Sequence, residues 1–397
     1  MVLQSLLLSL HYSSLNHFIH YILYYLYIRS LIDNTSHAIL HPKQPFVGGK
    51  NSAWSSLFTF SDCGKYLAVV HRIELQDHIG VYSTDPWAEQ TKFKCKSNDV
   101  ASINWVPNGT HIVTCDSPLS YKFCIYTPSG EVVGNYEAYH NALGIKNLFF
   151  YNNNSNNDNN TESLNSNISS NLMAVGSYDG KIRLITMQSW QVAFILPLTH
   201  PRDMDAGIVE DPTIGAEVTV EINETSSEIS INEKLGEKTE KGFPRKKILA
   251  PIYVKKFMKT LPRISIDARD NKSLPPMGPS WCSWSADGSY FACREESYPK
   301  VLWIWDSNKP KLIDIILQAE PITCAQWKPL NNSKSLLAFC TGSSRIYLWS
   351  LETSVSWIDL PSSSASTLAV SWLKWSNDGT RIVMGGRESF CTGEVEA

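Results

Sequence analysis

An aromatic residue, then a polar turn closed by glycine four positions later, then a short apolar strand: this unit recurs along the chain, and no other feature restricts the fold as strongly. Phe60 leads to Gly64 and an apolar run at 66–70, and Trp105 to Gly109 and residues 112–113. Trp284 leads to Gly288 and residues 290–293, and Trp375 to Gly379 and residues 382–384. Trp327 holds the same place before residues 336–340, with Asn331 where the others have glycine. Phe150 closes the matching strand of a further unit. Within the runs 60–150 and 284–375 successive aromatics lie roughly 43 to 48 residues apart, and a period of that size with about four short strands per unit is the signature of β-propeller blades.

One turn is especially legible. The apolar residues 172–175 run into Asp179-Gly180 and out into residues 181–186, whose apolar side chains alternate. Asp-Gly supplies the positive φ angles of a tight hairpin turn, and the alternation implies one buried face. The turn is read as a further instance of the same repeat. Strand endings at Trp305-Asp306 and Trp349 complete two of the later units. About six blades are recognisable, the last short, and the fold class read from the sequence is all-β, a β-propeller with inserted loops.

The insertions divide the chain. Residues 1–50 form an atypical apolar leader, uncharged until Arg29, and admit two readings: a membrane-inserting segment, or a chain start foreign to the rest. Repeats occupy 51–200, interrupted by an Asn- and Ser-rich tract at 152–171 that lacks apolar periodicity and is expected to be a disordered loop. Residues 201–280 form a charged insertion, acidic in its first half and basic after that, and repeats resume over 281–397. Charge blocks of opposite sign side by side most often make a solvated, self-compensating loop. The sharper alternative is that Arg245, Lys246, Lys247, Lys255 and Lys256 form a basic edge for an acidic protein surface. The apolar run 248–254 reads as a strand through which the insertion rejoins a blade.

No chemistry stands out. The net charge of −3 gives no reason to expect nucleic acid as a partner. All ten histidines lie in the first 200 residues, without a zinc-hydrolase spacing, and phosphate-loop and nucleophile-elbow motifs are absent. The aspartates of the turns (Asp179, Asp287, Asp378) fit backbone-bonding turn roles better than general-base roles. The nine cysteines, with no Cys-x-x-Cys, read as reduced core thiols, and neither a metal nor a cofactor is expected. What remains is a scaffold for protein–protein contact, not an enzyme.

Three runs go beyond repeat grammar. Residues 135–146 (Asn-Tyr-Glu-Ala-Tyr-His-Asn-Ala-Leu-Gly-Ile-Lys), 174–181 (Ala-Val-Gly-Ser-Tyr-Asp-Gly-Lys) and 338–350 (Ala-Phe-Cys-Thr-Gly-Ser-Ser-Arg-Ile-Tyr-Leu-Trp-Ser) resemble the family of the centrosomal WD-repeat-containing protein eight, named for a transcript antisense to the p53 gene. The resemblance covers roughly residues 54–393. It implies a non-catalytic scaffold at centrosomes and spindle poles that anchors microtubule minus ends and supports spindle organisation and cilium formation. The implied partners are a coiled-coil spindle-anchoring protein and a minus-end-directed kinesin, with microtubules engaged indirectly. Family members carry about three further repeats before the one that begins near Trp54, where this chain has its apolar segment. The alternatives are a propeller adaptor of another intracellular complex and a membrane-anchored propeller.

Overall fold

The computed structural model describes residues 17–22, 25–30, 36–43, 54–97, 99–151, 171–198, 208–210, 254–256, 261–264, 274–329, 335–360, 368–387 and 389–394. Their strands form seven sheets. The first holds β1 (His17–Ile22), β2 (Tyr25–Ser30) and β3 (Ser36–Leu40). The second runs β4 (Phe58–Phe60), β5 (Tyr66–Ile73), β6 (Gln76–Thr84) and β7 (Trp87–Lys94), after a short 3-10 turn at Trp54–Leu57. The third is β8 (Val100–Trp105), β9 (Ile112–Asp116), β10 (Phe123–Tyr126) and β11 (Val132–Tyr136). The fourth is β12 (Ile145–Phe150), β13 (Leu172–Ser177), β14 (Lys181–Thr186) and β15 (Val192–Pro197).

Two short strands then precede the fifth sheet, β16 (Ile208–Glu210) and β17 (Val254–Lys256). That sheet is β18 (Pro279–Trp284), β19 (Tyr290–Glu295), β20 (Val301–Asp306) and β21 (Lys311–Leu317). Beyond its outer strand β21, β16 adds in parallel and β17 antiparallel, giving six strands. The sixth sheet is β22 (Cys324–Trp327), β23 (Leu337–Cys340), β24 (Arg345–Ser350) and β25 (Ser354–Asp359). The seventh has three strands, β26 (Trp372–Trp375), β27 (Arg381–Gly385) and β28 (Phe390–Glu394). Within each sheet, sequential strands pair antiparallel, the meander of a propeller blade.

Each blade is stacked on the next through a shared apolar cluster. Leu26 and Ile28 of the first sheet bury against Phe58, Phe60, Leu67 and Val69 of the second. Ala68, Val70 and Ile79 meet Ile103, Trp105 and Tyr126 of the third, and its opposite face packs Val113, Phe123 and Ile125 on Met173, Val175 and Ile185. Further clusters join the fourth to the fifth, the fifth to the sixth and the sixth to the seventh. The inner strands are therefore buried on both faces, as β9, β13 and β23 show along their whole length, which explains their near-continuous apolar sequences.

Two readings of the sequence change. Residues 17–40, inside the presumed leader, supply three antiparallel strands, with Leu26 and Ile28 fully buried. Tyr and Ile dominate this stretch, and those residues suit a pleated, half-buried strand at least as well as an apolar helix. Among the described residues, no helix is long and apolar enough to cross a membrane. In addition, the Asp179-Gly180 turn joins the second and third strands of its blade, whereas the turns at Gly64, Gly109, Gly288 and Gly379 join the first and second. The Asn tract occupies the position homologous to those turns, and residues 152–170 lie outside the described residues, as do Asn331 and the run 248–253.

Candidate interaction face

The meander gives the propeller two ends. One carries the turns between first and second strands and between third and fourth; the other carries the turns between second and third strands and the connections from blade to blade.

The glycine turns define the first end. Gly64, Gly109, Gly288 and Gly379 all have φ between +65° and +70°, the left-handed region that glycine enters without strain. Each glycine N–H donates to the carbonyl three residues back, 2.7–2.9 Å away. In two of these turns the Ser hydroxyl of Ser-x-Asp-Gly also donates to the aspartate, Ser285 to Asp287 and Ser376 to Asp378. The tryptophans latch neighbouring blades at this end. Trp105 Nε1 donates to Thr59 O (3.1 Å), Trp327 Nε1 to Ser283 O (3.1 Å) and Trp375 Nε1 to Gln326 O (3.2 Å). Each acceptor immediately precedes the matching aromatic of the previous blade. Trp284 departs from the rule, since its buried Nε1 has no acceptor; it follows the blade whose first turn is replaced by the Asn tract. Trp349 Nε1 reaches Asp314 Oδ2 at 2.9 Å, and Asp306 accepts the Asn308 N–H at 2.8 Å. Phe60, Phe150 and Trp305 pack within or against the clusters. The repeat residues at this end form turns, cluster packing and interblade hydrogen bonds.

The second end is built from cations set between blades. Lys43 Nζ donates to Asp77 Oδ2 (2.9 Å), Asp99 Oδ1 (2.6 Å) and Val100 O (2.7 Å). Arg72 pairs with the same two aspartates at 2.6 and 2.7 Å. The Asp77 side chain is 0% exposed, and such a buried carboxylate requires this charge pairing and hydrogen bonding. Burial pushes Asp99 up, but Lys43 and Arg72 outweigh it and hold its carboxyl below the usual carboxylate range. One blade on, Arg183 takes Asp179 in a two-pronged pair (2.7 and 3.3 Å), donates to Ser177 Oγ and lies over the rings of Tyr121 and Tyr139. Burial alone would lower the Arg183 guanidinium, but the pairing with Asp179 raises it overall. Lys146 pairs with Glu296 of the next blade at 2.8 Å and donates to Met277 O; burial nevertheless leaves its amine lowered. Arg294 donates to Ile322 O and Thr323 O in the connection to the sixth blade.

Between these fixed cations, apolar side chains protrude. The β5–β6 turn holds Glu74 and Leu75 at φ 48° and 64°, unfavourable for residues with a Cβ, and leaves Leu75 87% exposed. Leu119 in the adjacent blade is 65% exposed, and Phe390 after the second turn of the last blade is 71% exposed. Single exposed apolar residues are ordinary; these three lie at or beside turns between second and third strands.

Of the basic residues read as an interaction edge, Lys255 and Lys256 lie in β17, opposite Val209 and Ile208 at the outer rim of the fifth blade. Arg245, Lys246 and Lys247 lie outside the described residues. Sequence reading missed the Lys43, Arg72, Asp77 and Asp99 group, whose members lie up to 56 residues apart. The Arg183–Asp179 pair did leave a signal, because Asp-Gly-Lys-Ile-Arg places the aspartate in a tight turn and the arginine on the strand that leaves it. Among the described residues, no group of three metal-ligating side chains converges, and all nine cysteines are unpaired.

Comparison with known proteins gives the same picture. No protein-family model matches the chain. It is 28% identical over 339 residues to the WD repeat-containing protein WRAP73 of Mus musculus, covering 84% of this chain and 65% of that protein's length. Among solved structures it aligns with a chain of a mitotic checkpoint complex, at 10% identity over 97% of this chain and 85% of that one, with a TM-score of 0.46 too low to bear on the fold. The blade meander, the recurring aromatic and glycine, the Trp-Asp strand ending and the similarity to a WD repeat-containing protein agree: this chain folds as a β-propeller of the WD-repeat type.

Proposed function

We propose that the protein is a non-catalytic interaction scaffold of the spindle pole or centrosome, which anchors microtubule minus ends and supports spindle organisation and cilium assembly. One observation carries this reading. The three runs that resemble the spindle-pole family converge on a single end of the propeller. Residues 135–146 cross from β11 to β12, residues 174–181 include the turn from β13 to β14, and residues 338–350 include the turn from β23 to β24. This is the end with the interblade cations and exposed turn tips. Propeller scaffolds present such loops to other proteins, and surface loops are where binding residues concentrate. Similarity to WRAP73 over most of the chain supports the reading.

The partners that fit are a coiled-coil spindle-anchoring protein and a minus-end-directed kinesin, with microtubules engaged through them. Purification of the tagged native protein from mitotic cells tests this. Recovery of a coiled-coil centrosomal protein with a kinesin supports the proposal. Recovery of cullin or RNA-processing components instead would place the propeller in another complex.

A further inference from the structure

Two pairs of cysteines face each other across antiparallel ladders. Cys324, opening β22, lies directly opposite Cys340, closing β23; Cys282 of β18 lies directly opposite Cys293 of β19. Opposed residues in such ladders have Cα atoms about 4.5–5.5 Å apart, inside the roughly 4.4–6.8 Å that a disulfide spans. The surroundings of the two pairs differ. Cys282 and Cys293 are both buried, and burial pushes the Cys282 thiol well up, the form that resists oxidation. Cys324 is half-buried, and groups on three different strands act on its thiol. The Cys340 thiol, the Leu373 N–H of the last blade and the Arg294 guanidinium of the preceding blade all favour its thiolate over its thiol. Arg294 is held in place by its bonds to Ile322 O and Thr323 O, the two residues before Cys324. Thr323 Oγ1 lies 3.2 Å from Cys340 Sγ and orients the partner thiol.

We propose that Cys324 and Cys340 form a peroxide-responsive dithiol, in which Cys324 is the sulfur that is oxidised and Cys340 the thiol that resolves it to a cross-strand disulfide. The Cys324 thiolate attacks one oxygen of hydrogen peroxide, the O–O bond breaks, and the departing hydroxide takes up the proton that the thiol had released. This leaves a sulfenic acid at Cys324 and one water. The Cys340 sulfur then attacks Cys324 Sγ, the S–O bond breaks, and its oxygen leaves as a second water with the Cys340 proton. Two thiols lose two electrons and two protons, and one peroxide becomes two waters. Thiolate character at Cys324 fits the same geometry, because the hydrogen bond from Cys340, with Leu373 and Arg294, outweighs burial and brings its thiol down to about 6. The disulfide would also replace the thiolate that the Leu373 N–H favours with an uncharged, weaker acceptor at the junction of the last two blades.

The test uses the full chain carrying Cys63→Ser, since Cys63 is exposed with a lowered thiol but has no opposed cysteine. Reduced protein is treated with stoichiometric hydrogen peroxide, alkylated under denaturing conditions and mapped by mass spectrometry without reduction. A Cys324–Cys340 linked peptide is expected, with Cys282 and Cys293 recovered alkylated. In Cys340→Ser the expected product is a dimedone adduct at Cys324. Independently of any change in the pair, iodoacetamide labelling of Cys324 in the folded protein should reach half its maximal rate at a pH below that of an ordinary thiol, about 8.5. Oxidation of both pairs to the same extent, or Cys324 remaining reduced while other thiols oxidise, overturns the proposal.

Discussion

Removing the indole N–H from each latching tryptophan separates packing from hydrogen bonding. Trp105, Trp284, Trp327 and Trp375 are buried to nearly the same degree, between 5% and 7% exposed, so replacement by phenylalanine costs each site a similar loss of packing. They differ in one bond. Trp327 Nε1 donates to Ser283 O at 3.1 Å, and its loss costs about 0.5–1.5 kcal/mol net. Trp284 Nε1 is buried without an acceptor, and deleting an unsatisfied donor recovers part of a desolvation cost of about 1–3 kcal/mol. Trp327→Phe should therefore destabilise by about 2 kcal/mol more than Trp284→Phe, with Trp105→Phe and Trp375→Phe behaving like Trp327→Phe. Urea unfolding of the four variants, compared by midpoint at constant m, reads this directly. Equal losses at Trp284 and Trp327 would refute the latch.

Other consequences follow from single positions. Gly180 has φ +70° with no atom near an added Cβ, so Gly180→Val should cost more than about 1 kcal/mol through backbone strain alone; an unchanged melting temperature would show that valine is tolerated there. His71 Nδ1–H donates to His41 O (2.8 Å), its Nε2 accepts from the Tyr82 hydroxyl (3.0 Å), and burial lowers its imidazole below the ordinary histidine range. As pH falls through 6.5 the unfolded chain takes up the proton first, so stability present above that pH should decline until the folded protein also protonates. In His71→Gln this part of the decline should be absent when melting is followed from pH 7.5 to 5.5. Leu75→Asp and Leu119→Asp should leave stability within about 0.5 kcal/mol while weakening partner capture, measured by co-purification.

The fold was legible where the chemistry is local. An aromatic followed by Ser-x-Asp-Gly states its turn in five residues, and the structure realises it at Trp284 and Trp375. The same chemistry misled at Asp179-Gly180, because a tight turn does not say which two strands it joins. The strands at 17–40 were obscured for a related reason. An apolar run has no period that separates a strand buried on two faces from an apolar helix segment, and only its Tyr and Ile content pointed to β. The Lys43 and Asp77 pairing leaves no trace at all in local sequence, since it exists only once two blades are stacked. The basic run had the opposite fate: conspicuous in sequence, it is placed only at Lys255 and Lys256, on an outer rim.

Cross-linking of the native complex with a lysine-reactive reagent, read by mass spectrometry, tests the central claim most directly. Lys181 and Lys122 mark the end with the blade-to-blade connections, Lys65 and Lys309 mark the opposite end, and Lys255 and Lys256 mark the rim. Cross-links to the coiled-coil partner should concentrate at Lys122 and Lys181. Cross-links concentrated at Lys65 and Lys309, or at Lys255 and Lys256, would contradict the claim.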